Sequence, residues 1–443
     1  MSQSDLSRRA FLTNAGVTAF VSAVGTRRMA SAAPAARYDF DTPYSRVGTD
    51  SVKWDQQIRT FSNDRIDVGM GIADMDFRSA PAITEALVER IKHENWGYLD
   101  MPRTFSEGII AWNKRRYGVE INPQSLVITN GVHPGIIAAL KTFSPPGSKV
   151  LLQTPTYDGF YGDIRSAGCR PEESPLKLVN GRYSMDFEDL EKRISHDTNT
   201  LILCNPQNPT GNCWSAEDLM RVGEICTRRR VVVLADEIHC DFVTKGNRYT
   251  PFASLSNKDI VRNSITFKST SKSFGLAAMK CAWFFSDNAD YISRVRANNR
   301  ADLTTLGMVA SRAAYAGGEE WLDQCVAYLD GNHDFVESFV KANIPLVKIV
   351  KPQGTYLCWL DVSGVAEKIG ASAQAAEASK ISGRLVTPET ILMRWFVTNA
   401  RVHMNPGSSY GLGGTNRMRM NIATSRKTLE LALNNLAGAL RKA

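Results

Sequence analysis

Four hundred and forty-three residues, 43% of them hydrophobic, 9% aromatic and only 18 of them proline, describe a globular chain with ample core and exclude disordered, collagen-like and coiled-coil architectures. The length exceeds one ordinary domain of about 150 residues, so two domains on one chain are expected. The net charge of +8 hints at anionic partners, although part of it lies in a segment that is not expected to persist.

Taken in chain order, Ser7-Arg8-Arg9-Ala10-Phe11-Leu12 sets two arginines before a weakly apolar run from Ala10 to Gly25, which Thr13, Asn14 and Thr18 interrupt. Ala30-Ser31-Ala32 follows as a small-residue cleavage site. The run is too short and too polar to cross a bilayer, which takes about 20 apolar residues. The string resembles the twin-arginine export signal, an address for proteins that cross the membrane already folded. That resemblance implies removal of residues 1–32, export by the twin-arginine machinery, a periplasmic location and no permanent membrane anchor. Arg8, Arg9, Arg27 and Arg28 against Asp5 give the segment a net +3, leaving +5 on the 411 residues that follow. Those residues hold no run of five like charges and no basic stretch interleaved with aromatics, so no nucleic-acid partner is expected. Export would ordinarily favour disulfides. The eight cysteines, however, include no CxxC, and Cys204, Cys240, Cys281 and Cys358 sit in or beside apolar runs. Mostly free, buried thiols are expected.

Residues 33–79 are assigned to a segment joining a smaller domain. From 80 to 320 helix-period segments alternate with short β-rich runs, the pattern of a mostly parallel sheet in a large α/β domain. The strand candidates are 126–129, 150–153, 201–204, 231–235, 265–268 and 282–285, apolar throughout as strands covered on both faces should be. A helix over 216–228 opens on Ser215 with Asp218 at the capping-box distance. Residues 321–443 form the smaller α+β domain, with strands expected at 346–350 and 356–360 and a closing amphipathic helix at 428–440. The Ala/Ser-rich stretch 363–386 shows little apolar periodicity and is expected to be a surface insertion.

Three strand ends carry the chemistry. Asn205-Pro206-Gln207-Asn208-Pro209-Thr210-Gly211 follows the strand at 201–204, Ala235-Asp236-Glu237-Ile238-His239 ends the next, and Ser269-Thr270-Ser271-Lys272-Ser273-Phe274 ends the one after. The carboxyl edge of an open α/β sheet is where such folds bind ligands. An amide, a carboxylate and a lysine on successive strand ends can therefore converge on one small molecule.

In this order and spacing the three motifs resemble the fold-type I pyridoxal-phosphate enzymes of aminotransferase class I/II, over nearly the whole chain after residue 32. The resemblance implies a large domain built on a mostly parallel seven-stranded sheet plus a smaller α+β domain, with pyridoxal 5'-phosphate as cofactor and no metal. The chemistry agrees: the cofactor needs an amine to hold it and a carboxylate to keep its pyridine nitrogen protonated. Lys272 and Asp236 match those roles, and Asn208 matches the donor to the ring hydroxyl. His239 occupies a place where many relatives carry a tyrosine against the same oxygen. Asn130-Gly131-Val132-His133 joins a strand to a helix N-terminus, where amides cradle anions. By family position Val132, His133, Ser269 and Ser271 meet the phosphate, and Lys280 stands where relatives carry an arginine. Tyr157 matches the aromatic stacked on the ring. Tyr98 matches a catalytic tyrosine reaching into the neighbouring subunit, which implies a homodimer with shared sites. Arg419 matches the fork that grips the α-carboxylate of a small amino-acid substrate, with Arg417 on the same strand face as its rival. Trp54 and Met75 are candidates for shaping the substrate pocket.

Further strings narrow the likeness: Ser51-Val52-Lys53-Trp54-Asp55, Ala73-Asp74-Met75-Asp76-Phe77, the run from Asp236 to Asp241, the run from Thr250 to Leu255, and Gly354-Thr355-Tyr356-Leu357-Cys358-Trp359-Leu360-Asp361. Together they resemble the cystathionine beta-lyase or C-S lyase branch, which releases a thiol, pyruvate and ammonia from cysteine conjugates. A periplasmic aminotransferase and a non-catalytic regulatory protein on the same fold are the alternatives.

Overall fold

The computed structural model describes residues 38–62 and 65–443. The expected export signal at 1–32 lies outside the described residues. Seven strands form the main sheet, in the spatial order Val127–Thr129, Ala282–Phe285, Ser264–Ser269, Val232–Asp236, Thr198–Cys204, Lys149–Thr154, Arg170–Pro175. Ala282–Phe285 is antiparallel to both of its neighbours, and the remaining neighbours pair in parallel. Every residue of Val232–Asp236 is buried, as expected of a central strand packed on both faces. All six expected runs are strands. The seventh, Arg170–Pro175, sits at the sheet edge. Its sequence, RPEESP, is polar and proline-bearing, a composition suited to an edge because the outer side needs no hydrogen-bond partners.

A second, antiparallel sheet joins Leu357–Asp361, Arg417–Asn421 and Asn405–Pro406. The stretch 68–76 is stitched beside it. Val68–Gly69 pairs with Val402–His403, the Asn421 amide donates to the Met70 carbonyl at 2.7 Å, and the Asp76 amide to Ala423 at 2.9 Å. Tyr38–Ala443 forms one compact unit.

Helix Ala216–Arg228 carries the expected capping box of Ser215 and Asp218, and the closing helix runs Arg426–Lys442 with Ser425 as its cap. Two expectations for the region after residue 340 are corrected. Residues 346–350 form no strand. Only Lys348 pairs, as an isolated bridge to Asp361, so the apolar run has a single residue opposite a partner. The stretch 363–386, expected to be a surface insertion, instead packs one side into the core. It folds into helices Ser363–Lys368 and Ala371–Ser382, with Val365, Ala366, Ala371 and Ala375 buried. Alanine is the strongest helix former and lets helices approach closely, yet it contributes little to an apolar periodicity. All eight cysteines are free and buried. Among the described residues no helix is long and apolar enough to cross a membrane.

Candidate functional site

Register brings the three motifs to one edge. Cys204 lies opposite Asp236, and Asp236 opposite Phe267, so the chain leaves each strand within one or two residues of the same line. The strand Ser264–Ser269 passes directly into the short helix Thr270–Ser273, which carries Lys272.

Lys272 Nζ donates to the carbonyl of Ala73 at 2.7 Å. Burial pushes its amine down to about 8, and the charge of Arg419 acts in the same direction while Asp74 and Asp236 oppose it. Asp236 is 4% exposed and accepts from the Ile238 amide at 3.1 Å. Burial raises its carboxyl to about 6, the response of an acid held out of water without a cation bonded to it. His239 is buried, and desolvation, then the charges of Lys272 and Arg419, hold it well below its ordinary value, so its ring is neutral. Its Nδ1 has no partner among the described residues.

Asn208 and Arg419 meet directly. Arg419 Nη1 donates to Asn208 Oδ1 at 3.1 Å and Nη2 to the Gly71 carbonyl at 2.7 Å. Its guanidinium lies 5.0 Å from the centre of the Tyr410 ring, and its buried Nε is unpartnered. Arg417 diverges from this group. It pairs with Asp361 at 3.2 Å and lines a separate cavity of about 200 Å³ together with Trp359, Tyr183 and Thr210.

Helix Val132–Phe143 begins immediately after Gly131, whose φ of +143° suits glycine. Val132 and His133 therefore present first-turn amides. The Asn130 Oδ1 beside them is buried and unpartnered. His133 Nδ1 lies 2.7 Å from Asp163 Oδ2, and that hydrogen bond raises the imidazole above its ordinary value. Tyr157 sits against His133, with ring centres 5.6 Å apart, and edge-on to Phe160 at 5.4 Å. A Cβ on Gly159 would fall 2.6 Å from ring atoms of both His133 and Tyr157. Ser269 accepts from the Ser271 amide at 3.0 Å, and the two hydroxyls lie 2.7 Å apart.

Among the other expected residues, Lys280 and Tyr98 stand apart, whereas Trp54 and Met75 contact or belong to the segment 71–76. Lys280 is exposed, at φ +51° just past the turn Ala277–Met279. Tyr98 is fully exposed, in an open depression with Trp96, Leu99 and Asp302. Trp54 donates its indole N–H to Asp76 at 3.0 Å. Met75 is buried, near the position a Cβ on Gly275 would take.

Several residues around the site carry no local sequence signal. Tyr356 donates its hydroxyl to the Ala73 carbonyl at 3.1 Å, the same oxygen that receives Lys272, and its ring meets His239 edge-on at 5.6 Å. Asn421 Nδ2 donates to the carbonyls of Ile72 and Asp74 at 2.6 and 2.7 Å. Buried Lys53 pairs with Asp76 at 2.7 Å. These contacts pin residues 71–76 as a strap beside Lys272. The strings containing Tyr356 and Asp76 stood out in the sequence, but nothing in them named these partners.

An amine, a buried carboxylate, a neutral imidazole, an amide held by an arginine and a donor-rich helix N-terminus fit pyridoxal phosphate. The unpartnered Asn130, His239 and Arg419 atoms are the polar groups such a ligand would satisfy. Among the described residues no cluster of His, Cys, Asp and Glu suits a metal.

The family model for aminotransferase class I and II matches residues 65–436. The chain is 35% identical to cystathionine beta-lyase PatB of Bacillus subtilis (strain 168), over 91% of its own length and 100% of that protein. Among solved structures it is similar to cystalysin from Treponema denticola, which contains pyridoxal 5'-phosphate, at TM-score 0.84 and 27% identity, covering 92% of this chain and 100% of that one. The pyridoxal-phosphate-bound C-S lyase from Staphylococcus hominis matches at TM-score 0.80 and 27% identity, covering 92% and 99%.

Proposed function

Because this chain belongs to the aminotransferase class I and II family, we propose that it is a pyridoxal-phosphate-dependent carbon–sulfur β-lyase that converts cysteine S-conjugates and water to pyruvate, ammonia and a thiol. The observation that carries the reading is the meeting of Lys272, Asp236 and the Asn208–Arg419 pair at one sheet edge, in a chain 35% identical to a cystathionine beta-lyase. When bound, pyridoxal phosphate supplies an electron sink for negative charge developing at the substrate's α-carbon.

The chain's own residues do the rest. Lys272 would hold the cofactor through Nζ. When free, Nζ is the group placed to take the α-proton, and a site that brings this amine down to about 8 suits a general base. Asp236 would hold the ring nitrogen, Asn208 and neutral His239 the ring hydroxyl, and Tyr157 would pack against the ring. Val132, His133, Ser269 and Ser271 would hold the phosphate. Arg419 orients the substrate carboxylate with its fork, keeping the α-proton within reach of Nζ. Arg417 is set aside for that role because Asp361 already occupies it.

Two finer elements belong to the same proposal. Tyr98, exposed beside exposed Trp96 and Met101, serves the site of a second copy in a homodimer. The twin-arginine string supports export to the periplasm, and the N-terminal mass of the secreted protein tests it.

Incubation of the purified protein with cystathionine or an S-alkylcysteine is expected to give pyruvate and thiol without an added keto acid. Strict dependence on a keto acid would overturn the lyase reading in favour of the aminotransferase. Lys272→Ala is expected to lose both the visible cofactor absorbance and turnover, and a colourless parent protein would overturn the cofactor assignment.

A further inference from the structure

Lys272 rides on the helix Thr270–Ser273, four residues long. A single turn cannot stabilise itself, because nucleation fixes several residues for one hydrogen bond. Neighbouring side chains hold it. Thr270 Oγ1 lies 2.9 Å from Ser311 Oγ, and Ser269 Oγ donates to the Cys281 carbonyl at 2.7 Å. Ser273, adjacent to the lysine and 2% exposed, donates its hydroxyl to Asp241 Oδ2. The other oxygen, Asp241 Oδ1, accepts from the Tyr117 hydroxyl and faces Arg116 Nε at 3.3 Å. Arg116 in turn reaches Asp323 at 2.8 Å and Glu319 at 3.3 Å. One buried carboxylate thus joins the lysine helix to the C-terminal turn of helix Arg103–Tyr117 and, through Arg116, to helix Glu319–Asn343.

We propose that Asp241 is a positioning residue for Lys272: acting through Ser273, it fixes the direction from which Nζ addresses the substrate. Asp241 bonds to Ser273 rather than to Lys272, and the proposal rests on the reading of Lys272 as the base. A buried acid serving only to neutralise Arg116 would need Tyr117 and Arg116 but not Ser273. The hydroxyl of Ser273 is therefore the discriminating atom.

Ser273→Ala removes the tether and leaves the Asp241–Arg116 pair in place. In the cofactor-loaded enzyme its kcat is expected to fall at least tenfold with KM within twofold, because small misplacements of a reacting group are costly. In the cofactor-free protein, hydrogen exchange at the amides of residues 270–274 is expected to quicken by about tenfold. The double variant with Asp241→Asn is expected to be no slower than Asp241→Asn alone, as residues acting in one chain are non-additive. A kcat for Ser273→Ala within twofold of the parent, a KM that rises as far as kcat falls, or unchanged exchange would overturn the proposal. Should Asp241→Asn fail to fold, Ser273→Ala alone decides. The exchange measurement needs neither cofactor nor turnover, so it judges the tether even if Lys272→Ala shows the lysine to be dispensable.

Discussion

Burial acts on Lys272 and Asp236 in opposite directions. Removing water disfavours whichever form is charged, so the lysine falls to about 8 and the aspartate rises to about 6. A base must be neutral to accept a proton. Below pH 8 the Lys272 amine is increasingly protonated, so kcat at saturating substrate is expected to rise with pH from 6 and level off above about 8. A flat profile across that range would contradict Nζ as the base. The placement of the motif residues was legible because each motif ends a strand or follows directly on one. Tyr356 was not, since its partner Ala73 lies 283 positions away. Asp163, which holds His133, is buried mid-helix, yet nothing in the sequence separates it from acids on the surface.

At the level of elements, the central strands were legible from their unbroken apolar runs, whereas the edge strand Arg170–Pro175 and the alanine helices within 363–386 were hidden by their composition. The strap at 71–76 belongs to neither kind of element. Its carbonyls are held by the side chains of Arg419, Asn421 and Lys272, and neighbouring side chains crowd its glycine. A Cβ on Gly71 would lie 2.4 Å from Asn405 Oδ1 and 2.5 Å from His403 Cε1, side-chain atoms of residues on the strands that flank the strap. Gly71→Ala is therefore expected to destabilise the protein by about 1–3 kcal/mol, the usual cost of overpacking. It should also raise KM, because the Gly71 carbonyl receives Arg419 Nη2. Urea unfolding and initial rates measure the two effects. Parent-like values for both would show that the strap moves freely.

For the whole molecule, the alternation of apolar strands with helices points to the sheet, but the burial of histidines is not marked in the sequence. His239, His333 and His403 are all buried, and desolvation depresses each: His333 and His403 to about 4, His239 well below its ordinary value. In the unfolded chain a histidine titrates near 6.5. Between about pH 6.5 and 4 the unfolded state therefore binds more protons than the native state, so stability is full above that window and is lost as pH falls through it. One such histidine changes stability by about 1.4 kcal/mol per pH unit within the window, enough for several to decide the acid limit of a protein of ordinary stability. His333 offers the clean test. Its Nε2 lies 3.0 Å from the Thr355 carbonyl and its Nδ1 3.5 Å from Cys358 Sγ, and a glutamine can supply the donor to Thr355 without taking up a proton. His333→Gln is expected to lose stability more slowly between pH 6 and 5, by about one proton's worth of slope, with little change at pH 8. Chemical denaturation at several pH values reads that slope, and an unchanged slope would mean that His333 titrates in the native protein as it does in the unfolded chain.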